Sequence, residues 1–360
     1  MWFQRLDIHD LRNLTAVRLD LAPGLNYFYG DNGAGKTAIL EAVHLLARGR
    51  SFRSHQTLDL IRRGADEVRV VATVEDEHRG RQTLGIAKSR RNRTELRING
   101  EPGRRLSEAA LLLPLQVMVP SLSDLVFGSP VERRQWLDWG TFHVKPDYLR
   151  LLRSYLHALR QRNAALKAVA AKRLPEEGLG VWSEEVVGFA ELVTSEREAY
   201  LEELRPLLMQ AVAALMPGLE LQMVYRRGWP EGSLRKVLSD SLAKELKSGS
   251  THSGPHRADV ELRISGMPAG ASLSRGQGKA LASAMMLSQS RLLMQTARRS
   301  SVFLIDDVGA ELDVQHSERF FSMLSELDVQ IMATSNSPPS QPLGGETAMF
   351  HVEHGKVVRQ

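Results

Sequence analysis

Gly30-Asp31-Asn32-Gly33-Ala34-Gly35-Lys36-Thr37 stands between a short β-prone stretch, Gly24–Tyr29 (GLNYFY), and a run with apolar residues at helical spacing, Ala38–Ala47 (AILEAVHLLA). The octapeptide matches GxxxxGK[ST], and strand, glycine loop and helix is the context that such a loop requires. Glycines let successive backbone N–H groups turn inward on an anion, in conformations that a side chain would obstruct. Lys36 can then reach β/γ-phosphate oxygens, Thr37 offers a hydroxyl to Mg²⁺, and the helix start presents its positive end. The bland alternative, a chance glycine turn, does not account for the flanking strand and helix.

Further along, Val302-Phe-Leu-Ile-Asp306-Asp307 reads as a buried strand delivering two carboxylates at its C-terminal edge. Asp306 is placed to hold the Mg²⁺ shell and Asp307 to orient or deprotonate an attacking water. An apolar strand ending in two acids is common by itself; it gains meaning from the loop upstream. Between the two lies Leu273-Ser274-Arg275-Gly276-Gln277, which opens a helix and resembles the ABC signature motif. In that superfamily the signature of one protomer covers the γ-phosphate bound by the other. Ser274, the Gly276 amide and Gln277 at a helix start would form a second anion site for which one chain has no use. The alternative is an ordinary serine helix cap. Gly309–Asp313 (GAELD) falls where an ABC D-loop belongs, and Gln116, after LLLPL, where a Q-loop glutamine would sense Mg²⁺. No NKxD motif is present, which argues against a GTPase. His252 and His256 in THSGPHRAD are candidate ligands, but a polar Gly-Pro turn explains them equally.

The chain has 360 residues, 42% hydrophobic and 25% charged, which excludes a disordered protein; it has no run of 18 apolar residues, which excludes a membrane helix. The N-terminal MWFQRLDIHD lacks an apolar signal core, so a cytoplasmic location is expected. Zero cysteines exclude disulfides and thiolate chemistry. Of the net charge of +5, the segment Arg48–Arg105 contributes an excess of +7, from 15 Lys+Arg against 8 Asp+Glu. That is either a polyanion surface, with Lys88, Arg90, Arg91 and Arg93 as candidate DNA contacts, or a solvated basic face.

Trp2–Leu14 reads as a strand running into a turn, and Val68–Val74, Thr83–Lys88 and Glu95–Ile98 as short antiparallel strands. Ala109–Pro120, apolar and interrupted by Pro114, reads as a buried strand. From Val131 to Pro217 the pattern is helical. One stripe holds Leu149, Leu152, Leu156, Leu159 and Leu166; a second holds Trp182, Val186, Phe189, Val193 and Tyr200, with the helix breaker LPEEGLG between them. After Leu219 the pattern returns to strands and loops, then a helix near Gly278–Met294 and apolar strands Val302–Ile305 and Val329–Ala333. The expected architecture is α/β: an ABC-type P-loop ATPase head with an inserted, mainly helical lobe built as a short antiparallel hairpin. Residues 1–125 and 250–360 would form the head, with an antiparallel β-region at about 65–105, and residues 126–249 the lobe.

Several segments together resemble the RecF family of bacterial recombination-mediator ATPases, short relatives of the SMC proteins. They are LRNL near the start, GLNYFYGDNGAGKTAILEAVHLLARGRSFRS, LVFGSPVERRQWLDWGTFH, LRQRNAALK, GPHRAD, LSRGQGKAL, LIDDVGAELD and MFHVEHGKV. GRSFR, GSPVERRQWLDWG and GPHRAD are particular to that family; the nucleotide motifs are shared across the superfamily. The resemblance implies ATP and Mg²⁺ as cofactors and an ATP-dependent homodimer that binds double-stranded, single-stranded or gapped DNA. It also implies RecO and RecR as partners in loading RecA, no membrane, and weak DNA-dependent ATPase activity. Two departures from the ABC pattern put fast hydrolysis in doubt: Asp307 replaces the usual Glu, and Ser335 stands where most ABC proteins carry a His. The rival readings are a transporter's nucleotide-binding subunit and an adaptor that uses ATP only to assemble.

Overall fold

The computed structural model describes residues 1–54, 56–91, 93–308, 314–338 and 346–360. The proposed D-loop, Gly309–Asp313, lies outside them. The chain divides into two units, residues 1–122 with 298–360, and residues 123–297. This boundary differs from the expected one: residues 250–297 pack with the lobe. The helix Arg275–Ala297 is buried along most of its length and contacts Gly180–Leu215.

The first unit has two six-stranded sheets. One is antiparallel, in the order Leu14–Asp20, Trp2–Leu11, Glu67–Asp76, Gly80–Ser89, Thr94–Ile98, Glu101–Pro102. Glu67–Asp76 buries alternate residues from Val68 onward, as a sheet with one face on a core requires. The other has the order Lys356–Arg359, Thr347–Glu353, Leu25–Tyr29, Gln330–Ser335, Val302–Ile305, Leu115–Met118, and every pairing but the first is parallel. Val302–Ile305 is buried at all four positions, as its unbroken apolar run implies. The helix Lys36–Arg48 is buried nearly all round, and its Ile39, Val43 and Leu46 share a core with Leu6 and Val70 of one sheet and Leu304 and Met332 of the other.

Gln330, 1% exposed, stitches the sheets together. Its Oε1 accepts from Phe3 N at 2.8 Å, and its Nε2 donates to Phe3 O at 2.9 Å and Ala22 O at 2.7 Å. The apolar stretch Ala109–Pro120 is not a single strand. Its first part belongs to the helix Leu106–Leu112, and only Leu115–Met118 is a strand, because Pro114 offers no N–H and separates the two.

The second unit contains the hairpin Tyr148–Ala170 and Gly180–Leu215, the helix Pro130–Val144, and a small antiparallel sheet of Leu221–Arg226, Asp259–Ile264 and Met267–Pro268. Ser129 caps Pro130–Val144, accepting from Val131 N and donating to Glu132 Oε2 at 2.7 Å. Two short helices, Leu234–Asp240 and Leu242–Ser248, occupy a region expected to hold strands and loops. Each has only seven residues, too few to show a helical period. The buried face of Tyr148–Ala170 agrees with the leucine stripe only in part. Leu159 and Leu166 are buried, but Tyr148, Leu151, Tyr155 and Ala158 form the rest of the core row, while Leu149, Leu152 and Leu156 are half-buried.

Two arginines lie inside this core. Arg162 pairs with Glu245 at 2.8 Å, the side chains 1% and 0% exposed, and it also donates to Thr251 Oγ1 at 2.6 Å and Ser183 Oγ at 3.0 Å. Arg197 donates to Asp138 at 2.7 Å and to Pro255 O at 2.9 Å. Arg133 grips both oxygens of Asp259, at 2.7 and 3.0 Å, and Arg134 donates to Ala258 O at 2.7 Å. GSPVERRQWLDWG and GPHRAD are therefore two halves of one clamp. Arg162→Met should destabilise the lobe by roughly 3–5 kcal/mol, because it leaves Glu245 charged and unpaired out of water. Urea unfolding checks this, and Arg162→Met/Glu245→Gln should recover part of the loss. Equal stability of the single variant would contradict it.

Candidate phosphate-binding site

The loop Gly30–Thr37 joins Leu25–Tyr29 to Lys36–Arg48, so the chain turns from a strand into a helix start within a few residues. Gly30 has φ 149°, and a Cβ there would stand 2.1 Å from Val352 O. Gly35 has φ 120°, with Leu14 Cδ2 2.9 Å from where a Cβ would be. Both positions need glycine, for backbone conformation and for space.

Lys36 is 8% exposed and curls back over the loop. Its Nζ donates to Gly30 O at 2.7 Å, Asp31 O at 2.8 Å and Asn336 Oδ1 at 3.2 Å. Burial lowers its pKa, and Asp307, Asp306 and Asp31 act in the opposite direction. Among the described residues no carboxylate pairs with it directly, so an anion beside the ammonium would restore the balance.

Thr37 Oγ1 donates to Asp306 Oδ1 at 2.8 Å, and Thr334 Oγ1 donates to the same oxygen at 2.9 Å. The Asp307 N–H in turn donates to Thr334 Oγ1 at 2.8 Å. Asp307 sits at φ 60°, a region that Asp tolerates better than most residues. Thr37, Asp306 and Asp307 line one cleft of about 560 Å³ together with Asn32, Gly33, Gly35, Lys36 and Ser335. A hydroxyl and a carboxylate oxygen in contact are hard donors of the kind Mg²⁺ takes. Among the described residues no group of three His, Cys, Asp or Glu could hold a metal, so His252 and His256 form no such centre. A Mg²⁺ here would draw its remaining ligands from phosphate and water, as that ion commonly does.

Other residues of this cleft carried no assigned role in the sequence. Asn13 Nδ2 donates to Gly33 O at 3.1 Å and Ala34 O at 3.0 Å, bracing the loop. Arg12 is held in a fork by Glu41, at 2.8 and 3.0 Å, and donates to Asp59 O at 2.6 Å. Arg53 and Ser54 line the opening. LRNL and GRSFRS were the available signals, but nothing in their spacing says that they meet the glycine loop.

The remaining candidates stand elsewhere. Gln116 is 5% exposed on Leu115–Met118, opposite Phe303, and is not among the cleft's lining residues. Ser274, Gly276 and Gln277 belong to the second unit and are exposed. Ser274 N donates to Gln277 Oε1 at 2.9 Å, and Gln277 N donates to Ser274 Oγ at 3.3 Å, a reciprocal cap on Arg275–Ala297. The structure thus forms the cap that was the bland reading; a cap and an anion site use the same helix start.

Lys88, Arg90, Arg91 and Arg93 surround a hairpin turn. Arg90 is spent on Ala65 O at 2.7 Å and Arg62 O at 3.1 Å, and burial lowers the Lys88 pKa. Asp66, Glu67 and Glu95 line the same hollow as Arg90, Arg91 and Arg93. Acid interleaved with base makes this a poorer polyanion surface than the sequence count suggested.

With this geometry in place, the comparisons with known proteins are specific. The RecF/RecN/SMC N terminal domain family matches residues 2–349. The DNA replication and repair protein RecF of Shewanella baltica (strain OS155) is 37% identical over 368 residues, covering 99% of both chains. That of Shewanella piezotolerans is 36% identical over 364 residues, again covering 99% of both. A solved structure of the recombination mediator protein RecF with ATP, from the RecFOR pathway, aligns at TM-score 0.90 and 25% identity, over 100% of this chain and 97% of that one. An SMC head bound to the C-winged helix domain of ScpA aligns at TM-score 0.63 and 15% identity, over 100% and 98%, a likeness of fold alone.

Proposed function

The chain belongs to the RecF family, and from that premise we propose that it is an ATP-gated DNA-binding protein of replication and repair. ATP joins two copies, the pair grips DNA, and slow hydrolysis releases it. The observation that supports this most is the hydrogen bond between Thr37 and Asp306, 269 residues apart, beside the Lys36 loop. In this reading the amides of Gly30–Thr37 and Lys36 hold the phosphates, and Thr37 and Asp306 hold Mg²⁺. Asp307 orients the attacking water, Gln116 senses the metal from the neighbouring strand, and Ser274, Gly276 and Gln277 serve the nucleotide of a second copy. RecO and RecR would be its partners in loading recombinase at gaps, in the cytoplasm. Among the described residues no helix is long and apolar enough to cross a membrane. The full-length family match leaves the transporter-subunit reading without support.

The test is anisotropy on duplex, single-stranded and gapped DNA, with and without ATP. Binding that ATP strengthens is expected; equal binding in both conditions would remove the gating. Turnover should be slow. Asp307 is one methylene shorter than Glu, and Ser335 cannot act as an imidazole partner. Steady-state phosphate release should lie far below the enzyme median of about 10 s⁻¹ even with DNA present. A rate near that value would show that neither departure limits hydrolysis.

A further inference from the structure

The two helices of the lobe hairpin differ in charge far more than their packing requires. Tyr148–Ala170 carries Arg150, Arg153, Arg160, Arg162 and Lys167 with no Asp or Glu. Its partner, Gly180–Leu215, carries seven Glu against two Arg. Arg162 turns inward to Glu245. The other four cations are exposed, as is His157 on the same face. At about 100° per residue, positions 150, 153, 157, 160 and 167 fall within an arc of about 100°, so they form one stripe. At a rise of about 1.5 Å per residue it is about 25 Å long.

An ordinary solvated helix is better served by opposite charges three or four residues apart, and like charges at that spacing repel. Arg150 also sits in the first turn, where the helix dipole disfavours a cation. Asp147 gives it partial relief at 3.1 Å, through a pair in which both side chains are largely exposed. A row of cations held against these local preferences is the footprint of a polyanion. The rings on this helix narrow the choice. Tyr148 and Tyr155 are buried, and His157 meets Trp182 edge-on at 6.3 Å. The stripe therefore offers no aromatic platform for unstacked bases, which single-strand binding commonly uses.

Resting on the DNA-binding reading above, we infer that the stripe Arg150–Lys167 is a phosphate-binding face that grips the backbone of duplex DNA. Its length matches most of one duplex turn of about 34 Å. The glutamate-rich helix Gly180–Leu215 repels DNA, which confines the grip to one side of the hairpin. Because only phosphates are met, the contact carries no base sequence information. It is also a cleaner cationic surface than the turn at Lys88–Arg93, where three carboxylates intervene.

The test uses the full chain with Arg153→Gln, Arg160→Gln and Lys167→Gln combined. Affinity for a labelled duplex with ATP is measured across a salt series from about 50 to 200 mM. Loss of three phosphate contacts should flatten the slope of log K against log salt by about 2.7, at about 0.9 per contact, and weaken binding at low salt for any sequence. ATP affinity and turnover without DNA should not change. Arg153→Lys/Arg160→Lys, which retains the charge, should keep the wild-type slope. Wild-type affinity and slope in the triple variant would overturn the stripe while leaving the DNA-binding reading intact. So would a loss confined to single-stranded DNA, or flattening seen only in a Lys88/Arg91/Arg93 variant. A wild-type chain that binds no DNA in any nucleotide state would remove the reading itself.

Discussion

Lys36→Met should reduce ATP affinity by at least a hundredfold and abolish ATP-dependent DNA binding. Methionine keeps much of the length and the apolar stem, so the backbone of the glycine loop is largely unaffected. What disappears is an ammonium that donates to Gly30 O, Asp31 O and Asn336 Oδ1 and whose field is balanced by Asp306 and Asp307. Without it, phosphate would enter beside two carboxylates with one cation fewer to offset their repulsion. A hundredfold loss corresponds to about 2.7 kcal/mol, within the range of 1.5–3 kcal/mol for hydrogen bonds to charged groups. The measurement is a nucleotide titration followed by DNA anisotropy with ATP. Retained ATP affinity with retained DNA binding would remove the phosphate-binding assignment.

Ser274→Arg should leave ATP binding by the single chain intact and eliminate ATP-dependent dimers. Ser274 is exposed and lies in the second unit, whereas every residue lining the 560 Å³ cleft lies in the first. The substitution sets a bulky cation at the helix start and removes the hydroxyl that caps Gln277 N, a local cost of about 1 kcal/mol that should not unfold the unit. Light scattering or sedimentation with a slowly hydrolysed ATP analogue, paired with nucleotide titration, separates the outcomes. ATP binding lost together with dimerisation would mean that Leu273–Gln277 acts on its own chain's nucleotide. Dimers that persist would return the segment to a simple helix cap.

What could be read from the sequence follows from how local each feature is. The glycine loop, the strand Val302–Ile305 and the helix after Thr37 are each specified by a short window, through glycine placement, an unbroken apolar run or a 3.6-residue period. The clamp between Arg133 and Asp259, 126 residues apart, has no local signature, and neither does Asn13 reaching Gly33 across 20 residues. The buried Arg162 lacked a local signal for a related reason. Periodicity expects apolar side chains facing a hairpin core, and only the structure shows Glu245 and Thr251 arriving to satisfy the guanidinium. Charge along a segment likewise does not tell which carboxylates fold back beside it. Asp66 and Glu95 temper the turn that looked most cationic, while a helix without any acid passed as a leucine stripe.

The order of the parallel sheet has a consequence for the protein's synthesis. Leu25–Tyr29, which launches the glycine loop, has Gln330–Ser335 on one side and Thr347–Glu353 on the other. Both neighbours leave the ribosome roughly three hundred residues after it, as does Asp306. A nascent chain therefore carries Lys36 after a strand that still lacks its lateral partners, while the contiguous lobe, residues 123–297, can fold as soon as it emerges. Pairings this distant in sequence close slowly. The cleft around Lys36 is then completed only when Thr334, Ser335 and Asn336 arrive, so a chain that has not yet added them lacks one wall of it.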